Sequence, residues 1–237
     1  MRGELLVIEE QVIACTRCPR LVVYRELVAR EKRRAFRHQE YWGKPVPAFG
    51  DPQAEILIIG LAPAAHGANR TGRMFTGDSS GNFLYRTLYS VGLASQPEST
   101  DVNDGLRLRR VFISAAARCA PPDNKPTPVE LRNCRQYLEA EIAALRHVRV
   151  VIALGRIAFD AYLSILKDRG AIGRRSAFAF GHNQKHALGP DLPLLISSYH
   201  PSQQNTSTGK LTFPMFEAVF HNALAALKPS ARRDKSM

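Results

Sequence analysis

Four cysteines fall as Cys15-x2-Cys18 and Cys119-x14-Cys134, with a long interval between the pairs and no fifth cysteine left over. Four thiolates suit a tetrahedral Zn2+ or an iron–sulfur cluster. Four unrelated buried thiols are the plain alternative, and a redox Cys-x-x-Cys is weaker because no thioredoxin-like strand precedes Cys15. The second concentration of chemistry is the glycine-rich run GLAPAAHGANRTGRMFTGDSSG, Gly60 to Gly81, which carries one carboxylate, Asp78, one imidazole, His66, and one aromatic ring, Phe75. Two shorter runs set polar groups among prolines: RCAPPDNKP, with Asn124 and Lys125, and YHPSQQN, with His200. Groups of this kind in loops serve binding and catalysis.

Familiar loop chemistries fail on this run. GANRTGRM has the glycine spacing of a phosphate loop, but Arg73-Met74 stands where Lys and Ser/Thr are required. Gly60-Leu61-Ala62 misses the second glycine of a dinucleotide fingerprint. No Gly-x-Ser-x-Gly elbow is present, and Ser79 and Ser80 have no base nearby in sequence.

The elements that must hold these loops are legible. Glu55–Ala62, Arg110–Ala117, Val148–Gly155 and Leu192–Tyr199 are short, nearly unbroken apolar runs, as parallel strands buried on both faces require. Helical patterns separate them: Ser80–Leu93, Thr127–Arg146 with Pro128 in its first turn, the run from Arg156, and Pro214–Leu227. A basic helix over Pro19–Arg37 precedes the first strand. The alternation predicts an α/β fold, a three-layer α/β/α sandwich around a central, mainly parallel four-stranded sheet. One domain over 1–228 is expected, its helical segment 4–37 tied in by the cysteines, and the basic tail 229–237 is expected to be disordered. In such sheets ligands collect at the carboxyl ends of strands, where the loops above lie.

The balance of 33 Lys+Arg against 21 Asp+Glu gives a net charge of +12, which attracts polyanions, nucleic acid first. Acidic residues interrupt MRGELLVIEEQVIAC where a signal peptide would be apolar, and no run approaches membrane-spanning length. A cytoplasmic protein without a membrane partner is expected, and a reducing compartment favours a metal or cluster over disulfides.

The order GLAPAAHG, NRTGR, FTGD, RCAPP-NKP and YHPS, with cysteines at both ends, resembles the uracil-DNA glycosylase superfamily, and within it family five, the broad-specificity iron–sulfur branch of bacteria and archaea. The resemblance runs from about Cys15 to Phe220. It implies a DNA repair enzyme that flips a deaminated base out of the helix and cuts its N-glycosidic bond with water. Phe75 matches the family's stacking phenylalanine, and His200 the histidine that favours the departing base anion. Relatives that activate water just after the first glycine carry an acid there, where this chain has Leu61 and Ala62. Asp78 is therefore the candidate that orients water or stabilises the sugar cation, and Asn124 matches a further polar pocket residue. Backbone around Ala64, Ala65, His66 and Gly67 is expected to meet the base, with few side-chain donors and hence loose discrimination, reaching hypoxanthine. Ser202, Gln203, Gln204, Asn205, Lys125 and Arg73 are expected to contact DNA, and Cys15, Cys18, Cys119 and Cys134 to hold a structural [4Fe–4S] cluster, with Zn2+ as the lesser alternative. A monomer acting on duplex or single-stranded DNA is expected.

The bland readings stand beside these: a core phenylalanine for Phe75, a helix N-cap for Asp78 and a turn former for Asn124, while the cluster Arg30–Arg37 reads equally as a track for phosphates or as a solvated helix face. Two rival classes also remain. One is a non-catalytic, cluster-bearing DNA-binding protein; the other is a Zn-stapled enzyme acting on free nucleosides or nucleotides.

Overall fold

The computed structural model describes residues 2–228; the expected basic tail 229–237 lies outside the described residues. In chain order the elements are α1 (Arg2–Ile13), α2 (Pro19–Glu31), β1 (Phe49–Gly50), β2 (Ile56–Gly60), α3 (Ala68–Thr71), α4 (Ser79–Ser90), β3 (Val111–Ala115), α5 (Pro128–Ala144), β4 (Val150–Leu154), α6 (Arg156–Asp168), β5 (Gln184–His186), β6 (Leu194–Ser198), α7 (Gln203–Ser207) and α8 (Phe213–Ala226).

The sheet runs β1-β3-β2-β4-β6-β5. Its four central strands are parallel and in step: Ile56 faces both Val111 and Val150, and Val150 faces Leu194. These are the four expected strands. The sheet has six strands rather than four, because β1 and β5 add short antiparallel edges. At two and three residues, neither carries enough sequence to show a period.

Alternation along the strands builds two cores. Ile56, Ile58, Val111, Ile113, Val150, Ile152 and Ile196 face one layer with Leu84, Leu88, Phe216 and Phe220 of α4 and α8. Leu57, Ile59, Phe112, Val151, Ala153 and Leu195 face the other, with residues of α1, α5 and α6. Burial on both faces is why the strands read as unbroken apolar runs.

Local chemistry sets the helix starts. Thr127 and Glu130 form a reciprocal capping box on α5 with Pro128 in its first turn, and Asp78 caps α4 by accepting the Gly81 amide. The basic N-terminal helix is shorter than expected. It stops at Glu31, where Lys32 takes a left-handed φ of 54°, and Arg34–Phe36 form a separate 3-10 turn. Among the described residues no helix is long and apolar enough to cross a membrane.

Candidate active site

The loops following β2, β3 and β6 converge on one cleft of about 890 Å³ at the carboxyl end of the sheet. Leu61 to Ala68, Phe75, Asp78, Asn124, His200, Gln203 and Gln204 line it. The first loop can reach this shape only with its glycines. Phe75 holds a left-handed φ of 54°, uncommon for a bulky residue. Its ring lies 2.8 Å from where a Cβ at Gly60 would stand, and a Cβ at Gly81 would overlap its carbonyl. The buried Tyr85 hydroxyl anchors the preceding turn by donating to the Met74 carbonyl at 2.7 Å. The Phe75 ring thus lies across the end of β2, stacked with His200 at 5.8 Å between centroids and 28° between planes.

Asp78 is half-buried in the same wall. Burial pushes its carboxyl above the ordinary value, against the pull of the Gly81 and Ser80 amides and the Arg70 charge. One oxygen accepts the Gly81 amide at 2.9 Å. The other sits where a Cβ at Gly67 would overlap it. The residue that caps α4 is therefore also the one that lines the cleft with its carboxylate.

His200 follows β6. Burial lowers its pKa to about 4, so the imidazole is neutral near pH 7. Its ring nitrogens have no hydrogen-bond partner among the described residues, while its carbonyl accepts Asn205 Nδ2 at 2.8 Å. Asn205 therefore props the histidine loop through its amide, a structural role the sequence did not suggest. Ser202 caps α7, and Gln203 and Gln204 are exposed at the cleft mouth.

The amides of Ala64, Ala65 and His66 meet no acceptor among the described residues, whereas the Gly67 amide closes a turn onto the Ala64 carbonyl at 3.2 Å. Three of the four expected backbone donors are thus free to meet a ligand. Asn124 stands exposed at the rim with φ 56°, so it both forms a turn and lines the cleft. Lys125 is exposed beside it, and its carbonyl accepts from Arg20.

Arg73 is the clear misplacement. It is 3% exposed, its fork gripping both oxygens of Asp104 at 2.8 and 2.5 Å, with Thr76 and Ser99 taking further donors. It does not reach a DNA surface in this conformation, because the side chain is buried and four of its five N–H donors are bonded inside. Burial pushes Asp104 up, but the Arg73 hydrogen bonds with the Leu106 and Thr100 amides outweigh it and hold the carboxyl at about 2. Arg73→Ala is expected to cost about 3–5 kcal/mol in a urea unfolding curve, since it strands Asp104. Activity per folded molecule should stay near wild type.

Sequence reasoning missed Tyr24, Arg33 and Phe36, which bring the N-terminal segment into the cleft wall. It also missed Arg70, buried, which donates to the carbonyls of His66 and Gly77 at 2.8 Å each and stacks on Phe36 at 4.0 Å. The basic run at Arg30–Arg37 was the only signal for this wall.

Cys15, Cys18, Cys119 and Cys134 line one small pocket. Arg25 Nη1 donates to Cys119 Sγ at 3.0 Å, the Arg118 amide to Cys134 Sγ at 3.2 Å, and Asn133 Nδ2 lies 3.5 Å from Cys18 Sγ. Arg25 and Arg118 are buried there, and Arg25 Nε with Arg118 Nε and Nη1 lack a partner among the described residues. Among the described residues no three His, Cys, Asp or Glu side chains form a group that could hold a metal ion as they stand.

The family model described as "Uracil DNA glycosylase superfamily" matches residues 47–228. The chain is 53% identical over 214 residues to a type-5 uracil-DNA glycosylase of Thermus thermophilus, covering 90% of this chain and 94% of that protein. It is 48% identical over 222 residues to the type-5 uracil-DNA glycosylase of Mycobacterium tuberculosis, covering 93% and 81%. It is 44% identical over 216 residues to that of Pyrobaculum aerophilum, covering 91% and 90%. With the cleft, its aromatic pair and its carboxylate in place, the chain belongs to the uracil DNA glycosylase superfamily.

Proposed function

We propose that the protein is a DNA repair glycosylase that takes uracil, and also hypoxanthine, out of DNA and hydrolyses its N-glycosidic bond. The observation that carries this reading is the Phe75–His200 stack with Asp78 in the same cleft wall. A flipped base needs a flat face, donors for the charge it takes away and a carboxylate near the sugar. Phe75 supplies the face. As the bond from C1′ to the base nitrogen breaks, the electron pair leaves with the base, and neutral His200 with the free amides of Ala64, Ala65 and His66 supply donors. Asp78 holds the water that bonds to C1′, takes up its proton and stabilises the positive charge growing on the sugar. Backbone donors read shape more than identity, which supports the wider base range. The net charge of +12 suits a phosphate backbone, and a prokaryotic cytoplasmic enzyme that joins the nucleoid when acting is part of this reading.

The four cysteines are proposed to hold a [4Fe–4S] cluster. Thiolates on such a cluster carry net negative charge, which suits a pocket where two buried guanidinium groups keep unpartnered donors and an amide already donates to sulfur. The cluster's role here is to brace the chain, tying the segment before α2 to the loop after β3. Cys119→Ser should lose bound iron and visible absorbance and lower the melting temperature. Colourless wild-type protein containing zinc would replace the cluster with the Zn2+ reading.

The function is tested by base release from single- and double-stranded oligonucleotides carrying uracil or hypoxanthine, read as alkali-labile breaks. Breaks at both bases are expected. Breaks at uracil alone would remove hypoxanthine from the range, and salt-sensitive binding without breaks would leave only a DNA-binding protein.

A further inference from the structure

His66 is half-buried in the cleft wall, with its Nδ1 3.0 Å from the phenolic oxygen of Tyr41 and the two rings edge to face at 6.1 Å. Tyr41 is itself buried, 8% exposed. Its oxygen accepts the Arg33 amide at 3.4 Å, and its proton has no acceptor other than Nδ1 among the described residues. A neutral imidazole that accepts at Nδ1 carries its own proton at Nε2. The Nε2 atom has no partner among the described residues. Burial, then the charges of Arg33 and Arg70, lowers the pKa of the ring and keeps it neutral. The backbone is pinned as well, because the His66 carbonyl accepts Arg70 Nε at 2.8 Å.

We propose that Tyr41 fixes His66 as an Nε2–H donor, and that this donor reads the carbonyl oxygen which deamination puts in place of an exocyclic amine. The inference rests on the reading of the cleft as a pocket for a flipped base. Uracil carries an oxygen where cytosine carries an amino group, and hypoxanthine carries one where adenine does. A locked donor pairs with that oxygen and opposes an amine with a second donor, which leaves both unpaired. Reversing the tautomer would turn the Tyr41 oxygen into the acceptor and leave its buried proton without an acceptor among the described residues, which opposes adaptation to the amine. One side chain thereby serves several deaminated bases while excluding their parents. His66 contacts the base in this account, and Tyr41 is a positioning residue.

The test measures binding to single strands carrying one 2′-fluoroarabino nucleotide, either uracil or 2-pyrimidinone, the same ring without its 4-oxygen. These probes resist cleavage, so leaving-group differences do not enter. His66→Phe should weaken the uracil probe about tenfold, and the 2-pyrimidinone probe less than about twofold. His66→Gln, which keeps an N–H donor, should recover part of the loss on the uracil probe alone. Nitrogen-15 NMR of the wild-type ring should show the proton on Nε2, and Tyr41→Phe should convert it to a mixture. Equal weakening of both probes, or a wild-type ring protonated on Nδ1, overturns the proposal. Absence of cleavage by the wild type on an ordinary uracil strand is a different result, which would overturn the glycosylase reading itself.

Discussion

Asp78→Asn should nearly abolish base release and, at neutral pH, make the protein more stable. Both effects follow from one fact. Burial raises the carboxyl's pKa above the ordinary value, so holding it ionised in the folded state is unfavourable. A group whose folded pKa is raised contributes stability at low pH and loses it as pH rises through that value, so the wild type carries the cost wherever the carboxyl is ionised. Asparagine keeps the acceptor for the Gly81 amide and is as good an N-cap as aspartate, so α4 loses little. It cannot take a proton from water. Single-turnover base release should fall by about 10²–10⁴, with DNA affinity unchanged and a higher melting temperature at pH 7. Wild-type stability should approach that of the variant as the pH is lowered and Asp78 takes up its proton. A variant that is both inactive and less stable would mean that the carboxylate serves the fold and not the reaction. Unchanged release would remove Asp78 from the mechanism.

His200→Ala gives the second large effect, with the opposite pH signature. The ring is held neutral, its pKa pressed to about 4, and it stacks on Phe75 with its nitrogens unpartnered. Losing a donor to the departing base should lower release by about 10²–10³. A depressed histidine pKa means that the unfolded chain binds a proton below its ordinary value of 6.5 while the folded chain does not. Wild-type stability should therefore drop as the pH falls from about 6.5 towards 4, and His200→Ala should lose that part of the acid sensitivity. Thermal melts of both proteins across this range test it. A parallel decline in the two would show that the imidazole is not shielded, and retained cleavage would show that the free backbone amides suffice.

What could be read beforehand divides along a physical line. The four central strands, the helices between them and the loops at their carboxyl ends are written in local periodicity, because burying both faces of a parallel sheet leaves unbroken apolar runs. The cleft residues Phe75, Asp78 and His200 were legible by motif order, and the structure brings them together. The same letters were ambiguous wherever the outcome depended on a distant partner. Arg73 and Arg70 stand in one short motif, yet Arg73 is consumed by Asp104, 31 residues away, and Arg70 bridges two limbs of the base loop. Asn205, expected only as a DNA contact, also holds the His200 carbonyl.

By itself, the sequence determined the α/β alternation, the order of the loops, the glycines that let Phe75 and Asp78 approach them, and the excess of positive charge. Only the tertiary structure decided which charges lose water, which amides stay unpaired among the described residues and that Tyr41 meets His66, 25 residues away. Periodicity is a property of neighbours along the chain. Desolvation and hydrogen-bond partnership are properties of neighbours in space, and these set the pKa of Asp78 and of His200.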